Sequence, residues 1–348
     1  MQNNPRNQTE SPNTDTSTWV QAYKLAAVVT LVMIVSTILN FFALIHVLRR
    51  NKRKLKFIHV IMASLFVANF IQAPLGYPQT IISMTVTGSK ILDNYSLCQF
   101  TAYVVFSTSV VSIEHVVILS LHRYFQFSRP NLARIINRKW KTALSVAIIA
   151  WILGLLQTSF PLFGWGKFGR YGHICSIDCI NSSMKDYIYL IYAVIMFYIL
   201  PVVTLISTRQ MISKKYASSF GRWPMKFQQR YMNMEAIMLI SFIVCWTPYS
   251  IVVLCQMFSV HISVQTAQTC SVFAKVSTVV NSLVYCLVYN VWRKSDVERR
   301  SFSKRRTQSI RNIGNAYIDY IDEKSVRCTY QQHGAIRHDT VVQMYGSY

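Results

Sequence analysis

Charged side chains are scarce in this sequence, and acidic ones are the scarcest. Only 14% of its 348 residues are charged, against roughly 25% in an ordinary soluble domain. With 52% hydrophobic residues and a mean hydropathy of +0.27, the composition favours a polytopic membrane protein over a water-soluble chain. Asp and Glu number 13 against 36 Lys and Arg, a formal net charge of +23. Such an excess can mark a nucleic-acid binder, but no basic surface interleaved with aromatics is present. The basic residues fall instead in short clusters between apolar spans, as in cytoplasmic loops, which argues against nucleic acid as a partner. The opening MQNNPRNQTESPNTDTSTW lacks the apolar core of a cleavable signal peptide, so the first apolar span must serve as the insertion signal. The cysteines lack metal-ligand spacing, and there is no internal repeat.

Against this background one charge stands out. From Ala236 to Trp292 the only formally charged residue is Lys275. Read as a helix, Ser271, Lys275, Thr278, Ser282 and Tyr285 recur at four- and three-residue steps and share one face. A lysine at membrane depth costs about 2.5–3.5 kcal/mol on insertion scales, which marks it as functional. Two roles are open to it: a buried ion-pair partner, or an amine that forms a Schiff base with an aldehyde. Snorkelling to the surface is ruled out by position, because apolar residues extend well past Lys275 toward Tyr285.

Seven apolar stretches are long enough to cross a bilayer, at about 25–48, 57–84, 98–124, 142–163, 187–212, 236–257 and 266–290. The dense basic run Arg49–Lys56 makes the end of the first span cytoplasmic and the N-terminus extracellular. Two glycosylation sequons, at Asn7 and Asn181, then both fall outside the cell. Residues 1–22 read as a polar, disordered extracellular segment, and 23–290 as the transmembrane domain. Residues 291–302 read as a short amphipathic helix on the inner leaflet, and 303–348 as a disordered cytoplasmic tail. The fold expected is an all-α membrane protein, a seven-transmembrane-helix bundle. Pro74 is expected to kink span two, and residues 129–141 to form a basic loop before span four. Glu114 is the one acid placed well inside a span.

Several motifs resemble those of animal opsins, within the rhodopsin-like G-protein-coupled receptors. Phe273-Ala274-Lys275, with Asn281 six and Tyr285 ten residues on, is similar to the opsin seventh helix, where the lysine binds retinal. Cys98 opens span three and Arg123 follows near its end. Pro161-Leu162-Phe163-Gly164-Trp165 with Cys175-Ser176-Ile177-Asp178 resembles the second extracellular loop, and Cys245-Trp246-Thr247-Pro248-Tyr249 the sixth-helix motif. The resemblance implies a light-sensing receptor at the plasma membrane, multi-pass and not an enzyme, with 11-cis-retinal on Lys275. It implies a Cys98–Cys175 disulfide. A second bridge between Cys179 and Cys270 is left open by the sequence. It also implies a retinal site in which Thr101, Val105, Phe106 and Ser109 face the polyene. Phe197, Tyr198, Phe242, Trp246 and Tyr249 would flank the ring end. Its partners would be a heterotrimeric G protein, arrestin and a receptor kinase acting on the tail, and membrane lipid.

Where the sequence departs from that pattern, the mechanism is affected. The carboxylate that opsins often carry three residues after the span-three cysteine is Thr101 here, and Lys167 through Ile174 contains no acid. Glu114 lies about 24 Å along the helix from Cys98, too far toward the cytoplasm to reach Lys275. A buried cation without a carboxylate is unstable, which leaves a neutral Schiff base absorbing in the near ultraviolet, a carboxylate from elsewhere, or a bound anion; any visible-absorbing form is expected to depend on chloride. Thr101 and Ser271 would bond it, with Lys90, Lys167 and Arg170 raising its local concentration. Asp93 and Asp178 are the other local acids. Some opsins of corals and their relatives are similar in lacking the usual carboxylate. At the cytoplasmic end His122 stands where an acid usually precedes Arg123, so the local ion pair is missing. Arg209 stands in place of a tyrosine of the switch and Asn69 in place of an aspartate, while Arg123 and Tyr285 are kept. Two other functions fit the same residues: a retinal photoisomerase that signals weakly, and a receptor for a diffusible ligand with Lys275 in an ion pair.

Overall fold

The computed structural model describes residues 12–50, 56–86, 94–178, 183–217 and 225–287. All of them lie in one compact unit, Met1–Val288; the second unit, Tyr289–Tyr348, lies outside the described residues. So do the amphipathic helix and tail expected there, and Asn7, Lys90, Asp93, Cys179 and Asn181. Seven helical stretches among the described residues are long and apolar enough to span a bilayer. They are Trp19–Arg49, Phe57–Thr85, Tyr95–Ser128, Trp140–Phe163, Met184–Lys214, Asn233–Met257 and Val264–Leu287. The chain is a multi-pass membrane protein.

Span three is the hub, with 67% of its most apolar window buried against 28% for spans one, four, five and six. Apolar residues on the outer faces, such as Leu31, Phe42, Ile152, Ile237 and Ile240, are exposed as they must be toward lipid. Lipid removes most of the hydrophobic drive between helices, so close backbone approach and polar side-chain contacts hold the bundle together. Span four supplies the close approach with a buried stripe of Ala143, Ala147, Ala150 and Gly154. A Cβ on Gly154 would lie 2.6 Å from Cγ2 of Val111 in span three, so only glycine fits. Asn40 and Asn69 supply polar contacts: Asn40 donates to the Thr278 carbonyl at 3.0 Å, and Ser112 donates to Asn69 at 2.9 Å.

Two local expectations are corrected, and span two carries a break beyond Pro74. The first helix begins at Pro12, not near residue 22, because proline suits the first helical position, where its missing N–H would be unpaired anyway. Span two continues through Pro74 and breaks at Tyr77, between α-helices Phe57–Gly76 and Pro78–Thr85. Pro78 has no N–H to continue the ladder. The basic stretch before span four is largely a helix, Pro130–Arg138, with Pro130 again in its first turn.

One β-hairpin joins the helices. Strand β1 (Phe168–Tyr171) pairs antiparallel with β2 (Ile174–Ile177), with Arg170 opposite Cys175. The two-residue turn needs a positive φ, and Gly172 supplies it at 62°. The Cys98–Cys175 disulfide ties β2 to the top of span three. Ser83 donates to the His173 carbonyl at 2.7 Å, and the Tyr171 hydroxyl donates to the Ile262 carbonyl. The hairpin is thus pinned to spans two and three and to the loop before span seven.

Candidate functional site

Beneath the hairpin lies a cavity of about 270 Å³, walled by spans three, five, six and seven. Val105, Phe106 and Ser109 line it from span three, and Phe197 and Tyr198 from span five. Phe242, Trp246 and Tyr249 line it from span six, and Ser271 and Lys275 from span seven. These are the positions expected from the sequence, with one exception. Thr101 is buried but does not line the cavity; its hydroxyl donates to the carbonyls of Leu97 and Cys98, at 3.0 and 3.1 Å, and Ala102 takes its place on the wall. Cys175, Ser176 and Ile177 of β2 form the roof, which hydropathy alone could not have placed there.

Lys275 is 5% exposed, and its Nζ donates to Ser271 Oγ at 3.1 Å. The helix is interrupted immediately beyond it, with Val276 in a turn. Val279 N–H turns to the Val276 carbonyl at 3.0 Å, and the Lys275 carbonyl accepts instead from Thr278 Oγ1 at 3.0 Å and from the Tyr77 hydroxyl at 3.3 Å. The Tyr77 ring centre lies 5.6 Å from Nζ. Nothing in the sequence singled out Tyr77, an uncharged residue between Gly76 and Pro78.

Among the described residues Lys275 is the one charged side chain on the cavity wall. The described acids near the membrane region are engaged elsewhere. Glu114 sits against span four, accepting from Gln157 at 3.4 Å, while Tyr192 donates to Gln157 at 2.7 Å. Asp178 pairs with Lys167 at 3.5 Å, which offsets the lysine charge expected to attract an anion. Cys270 carries a free thiol. Trp246 anchors the floor by donating to Ser277 Oγ at 3.2 Å and stacking on Phe242 at 5.5 Å. Tyr198 and Thr247 hydrogen-bond across spans five and six.

At the end of the bundle away from the hairpin Arg123 does have an acidic partner, though not the neighbouring one in sequence. Arg123 Nη2 meets Glu235 Oε1 at 2.9 Å, with the two side chains 3% and 2% exposed. Glu235 escaped notice because it precedes the first residue of the apolar run that begins at Ala236. His122 faces span two and stacks on Phe57 at 4.4 Å. Tyr285 shares a 3.0 Å hydrogen bond with His46, and Arg209 donates to Asn233 at 3.3 Å, linking spans five and six.

The model of the seven-transmembrane receptor (rhodopsin family) matches residues 39–289. "Rhodopsin, G0-coupled" of Mizuhopecten yessoensis is 26% identical over 69% of this chain and 63% of its own length, so the chain spans just under two thirds of that relative. "Opsin-VA" of Rutilus rutilus is 25% identical over 79% of this chain and 74% of its own. "Visual pigment-like receptor peropsin" of Homo sapiens is 26% identical over 90% of this chain and 95% of its own. A crystal structure of squid rhodopsin shares the fold, with a TM-score of 0.69 at 19% identity, covering 84% of this chain and 88% of that one.

Proposed function

The chain belongs to the seven-transmembrane receptors of the rhodopsin family, and from that premise we propose that it is a light-sensing receptor holding retinal on Lys275. The observation that carries the reading is the solitary amine: among the described residues Lys275 is the one charge on an otherwise apolar and neutral-polar wall. The names of its relatives, rhodopsin, opsin and peropsin, support it. Membership of this family makes it a receptor and implies coupling to a G protein.

The residues present suit a polyene aldehyde. Phe106, Phe197, Phe242, Trp246 and Tyr249 offer aromatic surface, and Lys275 offers the one primary amine. When bound, 11-cis-retinal supplies a double bond that light isomerises. The chain does the rest. Lys275 would hold the ligand's aldehyde end, Ser271 would position Nζ, and the disulfide-pinned hairpin would cover the cavity. Trp246 links the cavity floor to span seven through Ser277, and its helix carries Glu235 at the opposite end. A change of cavity shape that moves span six would draw Glu235 from Arg123 and open the cytoplasmic face to a heterotrimeric G protein. With the N-terminus outside the cell, the tail would meet arrestin and receptor kinase at the plasma membrane. Because the described acids lie off the cavity wall, chloride is the proposed counter-charge, with Ser271 as the available hydroxyl.

The test is an absorption spectrum after reconstitution of the full chain with 11-cis-retinal, before and after acid denaturation. A band that survives denaturation in the wild type and is absent from Lys275→Ala is expected. A band in Lys275→Ala would refute the assignment of the site.

A further inference from the structure

Tyr77 occupies an unusual place. It is fully buried at the break in span two, and it touches span seven twice. Its hydroxyl donates to the Lys275 carbonyl at 3.3 Å and lies 3.5 Å from Thr278 Oγ1. That carbonyl is available because the helix ladder lapses at Val276. The Tyr77 ring stands 5.6 Å from Lys275 Nζ, within the range over which an aromatic face attracts a cation.

The other polar groups on the cavity wall provide dipoles but no charge. Ser271 accepts the Nζ hydrogen bond, span three contributes Ser109, the hairpin Ser176, span five Tyr198 and span six Tyr249. Among the described residues no Asp, Glu, Arg or His lines this cavity with it. In a desolvated site without a carboxylate, an aromatic quadrupole becomes a larger share of what favours the cationic form.

We infer that Tyr77 is a positioning and charge-stabilising residue for Lys275: its ring face does part of the work of the missing carboxylate, and its hydroxyl clamps the broken turn that aims the amine. This rests on the reading of Lys275 as the residue that carries the ligand. Unlike a bound halide, the ring cannot be removed by exchanging salt, so its contribution persists in every buffer.

The experiment places phenylalanine, then mono-, di- and trifluorophenylalanine, at position 77 of the full chain. Fluorine withdraws negative charge from the ring face while nearly keeping its shape, so folding is preserved along the series. Each variant is reconstituted with 11-cis-retinal, and the visible band is titrated with pH at fixed chloride. The pH midpoint at which the band is lost should fall stepwise, by about one unit in total. A midpoint constant along the fluorinated series overturns the charge-stabilising role. Comparing Tyr77→Phe with wild type isolates the hydroxyl: faster dark thermal loss of the band supports the clamp, and an unchanged rate overturns it. If the wild type forms no band at all, the reading of Lys275 fails instead, so the two failures are distinct.

Discussion

Replacing Glu235 with glutamine removes one charge from a pair whose nitrogen and oxygen lie 2.9 Å apart, both side chains nearly inaccessible to water. At an effective dielectric of about 20 the gross attraction at this distance is about 6 kcal/mol, much of it offset by desolvation. Removing one partner of a buried pair costs about 3–5 kcal/mol, because the other charge is stranded. Glutamine still offers an acceptor oxygen to Arg123, so the lower end, about 3 kcal/mol, is the expected penalty. It falls on the closed arrangement alone. Once the cytoplasmic ends of spans three and six separate, Arg123 reaches water and no longer needs Glu235. The closed-over-open ratio should therefore drop on the order of 100-fold, at about 1.4 kcal/mol per factor of ten. A bundle closed at about 99:1 would then populate both states comparably. The assay is nucleotide exchange on a G protein by the purified chain in darkness, with spin-label distances between spans three and six as a second readout. Raised exchange and a new longer distance are expected for Glu235→Gln, while Glu235→Asp, which keeps the charge, should change less. Unchanged exchange and distance would show that the pair does not hold the bundle closed.

Three further outcomes are expected. Cys98→Ser or Cys175→Ser should cut pigment yield sharply, since loss of a long-range crosslink costs about 2–5 kcal/mol in small secreted domains and here also frees the cavity roof; wild-type yield in both would refute a structural bridge. Exchanging chloride for a non-coordinating anion should move the dark absorption toward the near ultraviolet, and a maximum unchanged across chloride, a larger halide and that anion would eliminate the halide. His173, in the hairpin turn, is held below its usual value of 6.5 chiefly by burial, with the Arg170 charge adding to the effect and a bond to the Ser83 backbone opposing it. The unfolded chain then binds a proton that the docked hairpin resists, so stability is full above about pH 6.5 and is lost as pH falls through the folded value. Thermal melts of the chain from pH 7.5 to 5 should show this slope, and His173→Gln should flatten it; equal slopes would remove His173 as the cause.

The seven spans and the solitary Lys275 were legible in the sequence because they depend on consecutive residues. Hydropathy over twenty positions needs no knowledge of neighbours in space. Most of the cavity wall followed from motif positions by resemblance. Thr101 did not: helix rotation turns its hydroxyl onto its own backbone and presents Ala102 instead. The ion pair of Arg123 joins residues 112 positions apart, and Tyr77 meets Lys275 across 198. Such contacts depend on the rotation and axial offset of whole helices, set by close approaches such as Gly154 on Val111 and by where Pro78 breaks span two. The hairpin roof is likewise a tertiary result, since β1 and β2 are four residues each and only the disulfide, Ser83 and Ile262 hold them over the cavity. Local pattern determined which segments enter the membrane and where the buried amine lies along them. Packing decided which uncharged ring faces that amine and which acid faces the arginine, because side-chain proximity between helices is a property of their mutual register and of no single stretch of sequence.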